Sequence, residues 1–111
     1  MQDCVFCKIL RGELASEVIA ETDDIIVIKD INPKAPIHFL IIPRKHMNDI
    51  QSMAHVDFFY GSKIFAMAYH LSKTIPNAQD FKLHVNSGKT AGQIVMHLHV
   101  HFIAGKLEGA L

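Results

Sequence analysis

Apolar and polar positions repeat along this chain with two different periods. Residues 25–31 (IIVIKDI) and 37–43 (IHFLIIP) are short apolar runs rich in β-branched side chains, and each predicts a strand. The unbroken run in IHFLIIP predicts a central strand covered on both faces. NPKAP separates the two, because Pro33 and Pro36 have no N–H to give to a ladder. EVIAET predicts a shorter strand that ends at the acidic turn TDD, and CVFCKILRGE predicts a short helix stopped at Gly12. Over residues 53–75 the period changes to three and four. Phe58, Gly61, Phe65, Ala68 and Leu71 fall near one stripe, which predicts the main helix, ended by IPNAQ. FKLHVNSG then predicts a fourth strand, NSGKTAG a turn and IVMHLHVHFIAG a fifth strand. Helices do not alternate with strands, so the order predicts an α+β fold: a five-stranded antiparallel sheet with one main helix and a short N-terminal helix.

Inside the fifth strand, VMHLHVHF places His97, His99 and His101 at every second position. Side chains on a strand alternate between faces, so the three imidazoles share one face at spacings of about 6.5–7 Å. Leu98, Val100 and Phe102 share the other face, which must be core. Three uses compete for such a row: solvated histidines without a role, ligands of an open metal site, or a nucleophile with supporting imidazoles. The preceding turn, with Asn86, Ser87, Gly88, Gly92 and Gln93, favours the last, because glycine-containing backbone presents N–H groups to phosphate oxygens.

Length and charge narrow the class. A chain of 111 residues fits a single domain, residues 1–111, and half its residues are hydrophobic. Eleven basic residues balance eleven acidic ones, which argues against a nucleic-acid or anionic-membrane partner. The N-terminus lacks the pattern of a signal peptide, and no apolar stretch approaches the roughly 20 residues of a membrane span. A cytoplasmic protein is the expectation. In that compartment Cys4 and Cys7, spaced C-x-x-C, suit a metal or redox pair better than a structural disulfide.

The row H-x-H-x-H, preceded by GQ and followed by apolar residues, resembles the signature of the histidine triad (HIT) superfamily of nucleotide hydrolases and transferases. VFCKILRGEL resembles that family's N-terminal segment, IIVIKDINPKAPIHFLIIPRKH its central strand pair, and HVNSGKTAGQIVMHLHVHFIAG its active-site hairpin. Among its branches, DINPKAPIHFLIIPRKH is most similar to the HINT group of purine nucleoside phosphoramidases.

The resemblance implies a HIT fold, a homodimer and a nucleotide substrate. It implies cleavage of the P–N bond of purine nucleoside 5′-phosphoramidates through a nucleotidyl-histidine intermediate on His99, with no metal required for the chemistry. His101 would contact the phosphate and assist the leaving group. His38 would orient His99 or relay protons, and His97 completes the triad. Asp30 would bind the ribose hydroxyls; Val5, Phe6, Ile9, Ile28 and Ile31 would enclose the purine; Asn86, Gly92 and Gln93 would contact the α-phosphate. The same fold also serves dinucleoside polyphosphate hydrolases. A nucleotide-binding scaffold with little turnover is the alternative from another class. Ile94 stands where many relatives carry a hydroxyl, and the tail KLEGAL is short, so the leaving-group side departs from the family. C-x-x-C with His46 and His97 resembles the set that binds structural zinc in some bacterial members, which implies a Zn²⁺ held by Cys4, Cys7, His46 and His97. His55 and His70 are expected to be solvated.

Overall fold

The structure is a computed structural model that describes residues 4–105. The element order is α1 (Val5–Leu10), β1 (Val18–Glu21), β2 (Ile25–Lys29), β3 (Ile37–Pro43), α2 (Phe59–Thr74), β4 (Phe81–His84) and β5 (Val100–Ala104). The strands form one five-stranded antiparallel sheet in the order β1-β2-β3-β5-β4. The expected fold is therefore the observed one. β3 is central, and every residue in it after Ile37 is buried, as its continuous apolar run requires.

Alternation sorts the strands onto two faces. Val27, Phe39, Ile41, Val100 and Phe102 pack with Tyr60, Ile64, Met67, Ala68 and Leu71 of α2 in the larger core. On the opposite face Ile26, Ile28, Leu40 and Ile42 pack under Phe6 of α1, with Val5 and Ile9 at its margin. The histidine row lies on this second face. α1 stops where Gly12 turns with φ +79°. Among the described residues no helix is long and apolar enough to cross a membrane.

Two element boundaries differ from the sequence reading. The main helix begins at Phe59, not near residue 53. Before it come two 3-10 turns, Ile50–Ser52 and His55–Asp57. Asp49 accepts from the Ser52 N–H and Asp57 from the Ala54 N–H, so both carboxylates cap the short turns. The stripe also rotates. Tyr60, Ile64, Met67 and Leu71 face the core, whereas Phe58 and Phe65 are 57% and 72% exposed. The fifth strand begins at Val100. Its ladder with β3 runs from Ile37↔Ala104 to Ile41↔Val100 and stops short of Pro43, which lacks an N–H. The Leu98 N–H goes instead to the Met47 carbonyl, 2.7 Å away. His97, at the end of a bend over residues 95–97, and His99 thus sit just before the ladder.

Candidate active site and metal centre

Although the ladder starts late, the chain keeps its alternation. Leu98, Val100 and Phe102 enter the α2-side core, and the three histidines turn to the other side. Phe6 lies edge-on to both His97 and His99, with ring centroids 5.8 and 5.1 Å away. The His99 ring stands 5.2 Å from that of His101.

His97 is completely buried and faces α1. Its Nδ1 lies 3.3 Å from Cys4 Sγ and 3.6 Å from Cys7 Sγ, and His46 Nδ1 lies 3.2 Å from Cys7 Sγ. All four donor atoms fall within 4.8 Å of one another. The outer nitrogens are already committed. His97 Nε2 donates to the Pro43 carbonyl at 2.8 Å, and His46 Nε2 donates to Asn48 Oδ1 at 2.9 Å. Each Nδ1 therefore turns a lone pair inward, the arrangement of a metal-binding histidine with its supporting acceptor. Tetrahedral zinc with ordinary Zn–S and Zn–N bonds needs S···N edges of about 3.5 Å, close to those observed. The two sulfurs and two imidazoles fit that ion. Burial, and then the neighbouring Cys4, push the Cys7 thiol up, so thiolates here call for a cation between them.

His99 Nδ1 lies 2.8 Å from the His97 carbonyl, which can only accept, so Nδ1 carries the proton and Nε2 the lone pair. Burial holds the His99 imidazole below its ordinary range and hence neutral. His38 is fixed from the other end. The Lys34 N–H donates to its Nδ1 at 2.9 Å, which leaves the proton on Nε2. That Nε2–H points to His101 Nδ1 at 2.8 Å, so His101 in turn carries its proton on Nε2. His101 is pushed down to about 4, by burial first and then by His99, His38 and His84. The row therefore offers one free lone pair at His99 and one N–H at His101. The partner of His38 is His101, not His99, because β3 and β5 pair directly and His99 precedes the ladder.

The HIT domain family's sequence profile matches residues 11–108. The chain belongs to the HIT family. It is 34% identical to Protein HitA of Neisseria gonorrhoeae over 93% of this chain and 96% of that one. It is 37% identical to a solved HIT family hydrolase from Clostridium thermocellum, with a TM-score of 0.93 over 100% of this chain and 97% of the other. It is 31% identical to a histidine triad nucleotide-binding protein from Candida albicans, with a TM-score of 0.80 over 90% and 73% of the two chains.

Other expected site residues of this HIT protein take more varied positions. Asp30 joins the imidazoles: its Oδ2 lies 3.3 Å from His38 Nε2 and 4.0 Å from His101 Nδ1, while Oδ1 accepts from the Asn32 N–H. The trio Asp30, His38 and His101 is also compact enough for a metal ion. It does not fit one, because His38 Nδ1 faces an N–H donor where a metal-binding histidine needs an acceptor. Val5, Phe6, Ile9 and Ile28 share one apolar cluster. Phe6 and Ile28 are almost wholly buried there, whereas Ile31 lies outside it and is 89% exposed. Gln93 does not present its amide outward. Its Nε2 donates to the Asn48 and Val95 carbonyls and its Oε1 accepts from the Gly88 N–H, so it straps the loop from inside. Gly92 turns the loop with φ +94°, and a Cβ there would meet Asn86 Nδ2 at 3.3 Å. Ile94 is 91% exposed.

Sequence reasoning did not assign a face to His84. It is the register partner of His101, with its ring 5.6 Å away, so it belongs to the same face. The alternation of FKLH held that signal, with Phe81 and Leu83 packed on the core.

Proposed function

We propose that this HIT protein is a nucleotide hydrolase that cleaves the P–N bond of purine nucleoside 5′-phosphoramidates, as the HINT branch does. One observation carries the reading: His99 is neutral, proton-fixed on Nδ1 and free on Nε2, beside a His101 that presents an N–H. His99 Nε2 attacks the α-phosphorus while the His101 Nε2–H donates a hydrogen bond to a phosphate oxygen, the P–N bond breaks, and the departing amine takes a proton from solvent. Water then attacks the nucleotidyl-histidine, gives up a proton to solvent, and releases the nucleoside monophosphate and neutral His99. The nucleotide-binding name of the Candida albicans relative and the hydrolase name of the Clostridium thermocellum relative support the reading. So does the apolar cluster under α1, whose margin at Val5 and Ile9 offers a surface for a base while Asp30 offers a carboxylate for a ribose.

In this reading Cys4, Cys7, His46 and His97 hold a structural Zn²⁺ that fastens α1 to the sheet and takes no part in the chemistry. The protein works in the reducing cytoplasm, where the two thiols stay available to a metal. It pairs with a second copy of itself through the outer side of α2, where Phe58, Phe65 and Tyr69 run along one exposed stripe beside the open edge of β4.

The test is direct. The protein is mixed with an adenosine 5′-phosphoramidate, quenched in mild base, which spares a phosphorus–imidazole bond, and weighed intact. An AMP adduct on the wild type, absent from His99→Ala, with AMP released over time, is expected. AMP released equally by both proteins would remove His99 from its role. Binding of AMP with neither adduct nor release would leave a binding module.

A further inference from the structure

We propose that His84 is a positioning residue of this active site, acting through Asn86. The inference rests on the nucleotide-hydrolase reading above and adds to it a residue that the triad motif does not contain.

Phe81 and Leu83 pack on the α2-side core, so Lys82 and His84 turn to the reactive face. A half-buried histidine on an edge strand is ordinarily a solvated one. Here both sides of the ring are engaged. Across the ladder it stands at 78° to the ring of His101, its register partner. Along its own chain, His84 Nε2 lies 3.0 Å from Asn86 Oδ1.

That contact decides which way the Asn86 amide points. Asn86 Nδ2 donates to the Ala91 carbonyl at 2.7 Å, so the nitrogen side is identified by an atom that can only accept. Oδ1 must then face His84, and His84 must donate from Nε2. Gly92 lies beneath the amide, in a space where a side chain would crowd Nδ2. The amide is thus held at its oxygen by His84 and at one N–H by Ala91, with room for it left by the missing side chain of Gly92. Its second N–H is left to donate at the mouth of the loop that precedes His97, His99 and His101. A donor aimed at developing phosphate charge is effective when it needs no reorientation. Without His84, Oδ1 loses its donor and the amide is free to rotate, so an aimed group becomes a mobile one.

The experiment is a double-mutant cycle on the full chain, with AMP affinity by calorimetry and kcat and KM for the phosphoramidate as readouts. His84→Ala is expected to weaken AMP binding about tenfold and Asn86→Ala by a similar factor, with the double variant no worse than Asn86→Ala alone. His84→Gln, which restores an amide donor, is expected to recover most of the loss. The side-chain amide resonances of Asn86 should shift in His84→Ala and return in His84→Gln. Wild-type affinity in His84→Ala, or losses that add in the double variant, would overturn the inference while the functional reading stands. A wild type that binds no AMP would overturn both.

Discussion

His99 and His38 are both histidines in apolar stretches, and each is told which nitrogen to protonate by a backbone atom. A carbonyl of the second residue upstream takes the Nδ1 proton of His99, and an N–H at Lys34 refuses one to His38. Backbone partners hold a tautomer without titrating themselves. One consequence is readable in the pH profile. Protonation of His99 removes its lone pair, so the acid limb of kcat/KM reports that event. Because burial lowers this imidazole from 6.5, the neutral form persists to lower pH than in a free histidine. The limb is expected to lie below pH 6.5, measured on the phosphoramidate from pH 4.5 to 8; a limb at or above 6.5 would contradict it. The shared face of the triad was legible because a period of two survives even where the ladder does not. The tautomers were not legible: that of His97 depends on the Pro43 carbonyl, which arrives by tertiary approach, and those of His99 and His38 on backbone atoms two and four positions away whose orientation the residue pattern does not give. Gln93 shows the same limit: a loop glutamine reads as an outward donor until Asn48, forty-five positions earlier, accepts its N–H.

At the scale of elements, α1 is six residues long, too short to persist on its own in water. Phe6 supplies its apolar anchor. Among the described residues, the side-chain hydrogen bonds that tie it to the body all run through the sulfurs of Cys4 and Cys7. A metal in that quartet would stabilise the fold by its binding free energy, and a chelator would remove it. Purified protein treated with a strong zinc chelator is expected to melt several degrees lower and still form the AMP adduct at temperatures well below that melting point. An adduct lost at those temperatures while the fold persists would move the metal from structure into chemistry. The strands were largely legible because each depends on neighbouring side chains. α2 was legible as a helix but not in its facing: two apolar stripes run along it, and only the one containing Tyr60, Ile64, Met67 and Leu71 meets the sheet.

For the whole molecule, the second stripe matters. Phe58, Phe65 and Tyr69 are 57%, 72% and 67% exposed, and the edge strand β4 leaves half its ladder unpaired. Exposed aromatic rows beside open edges are unstable in isolation and are commonly covered. Sedimentation velocity of the wild type is expected to give a dimer and Phe65→Asp a monomer of unchanged circular dichroism. A wild-type monomer at tens of micromolar would remove the dimer from the proposal.

His97 does two jobs with one residue: its ring belongs to the sulfur-rich cluster and its carbonyl fixes the tautomer of the neighbouring His99. The two centres are therefore written into adjoining peptide units and cannot drift apart in a lineage. A descendant that lost its thiols would still need something in that place to keep the carbonyl aimed, so replacement by other packing, rather than simple deletion, is the route open to it.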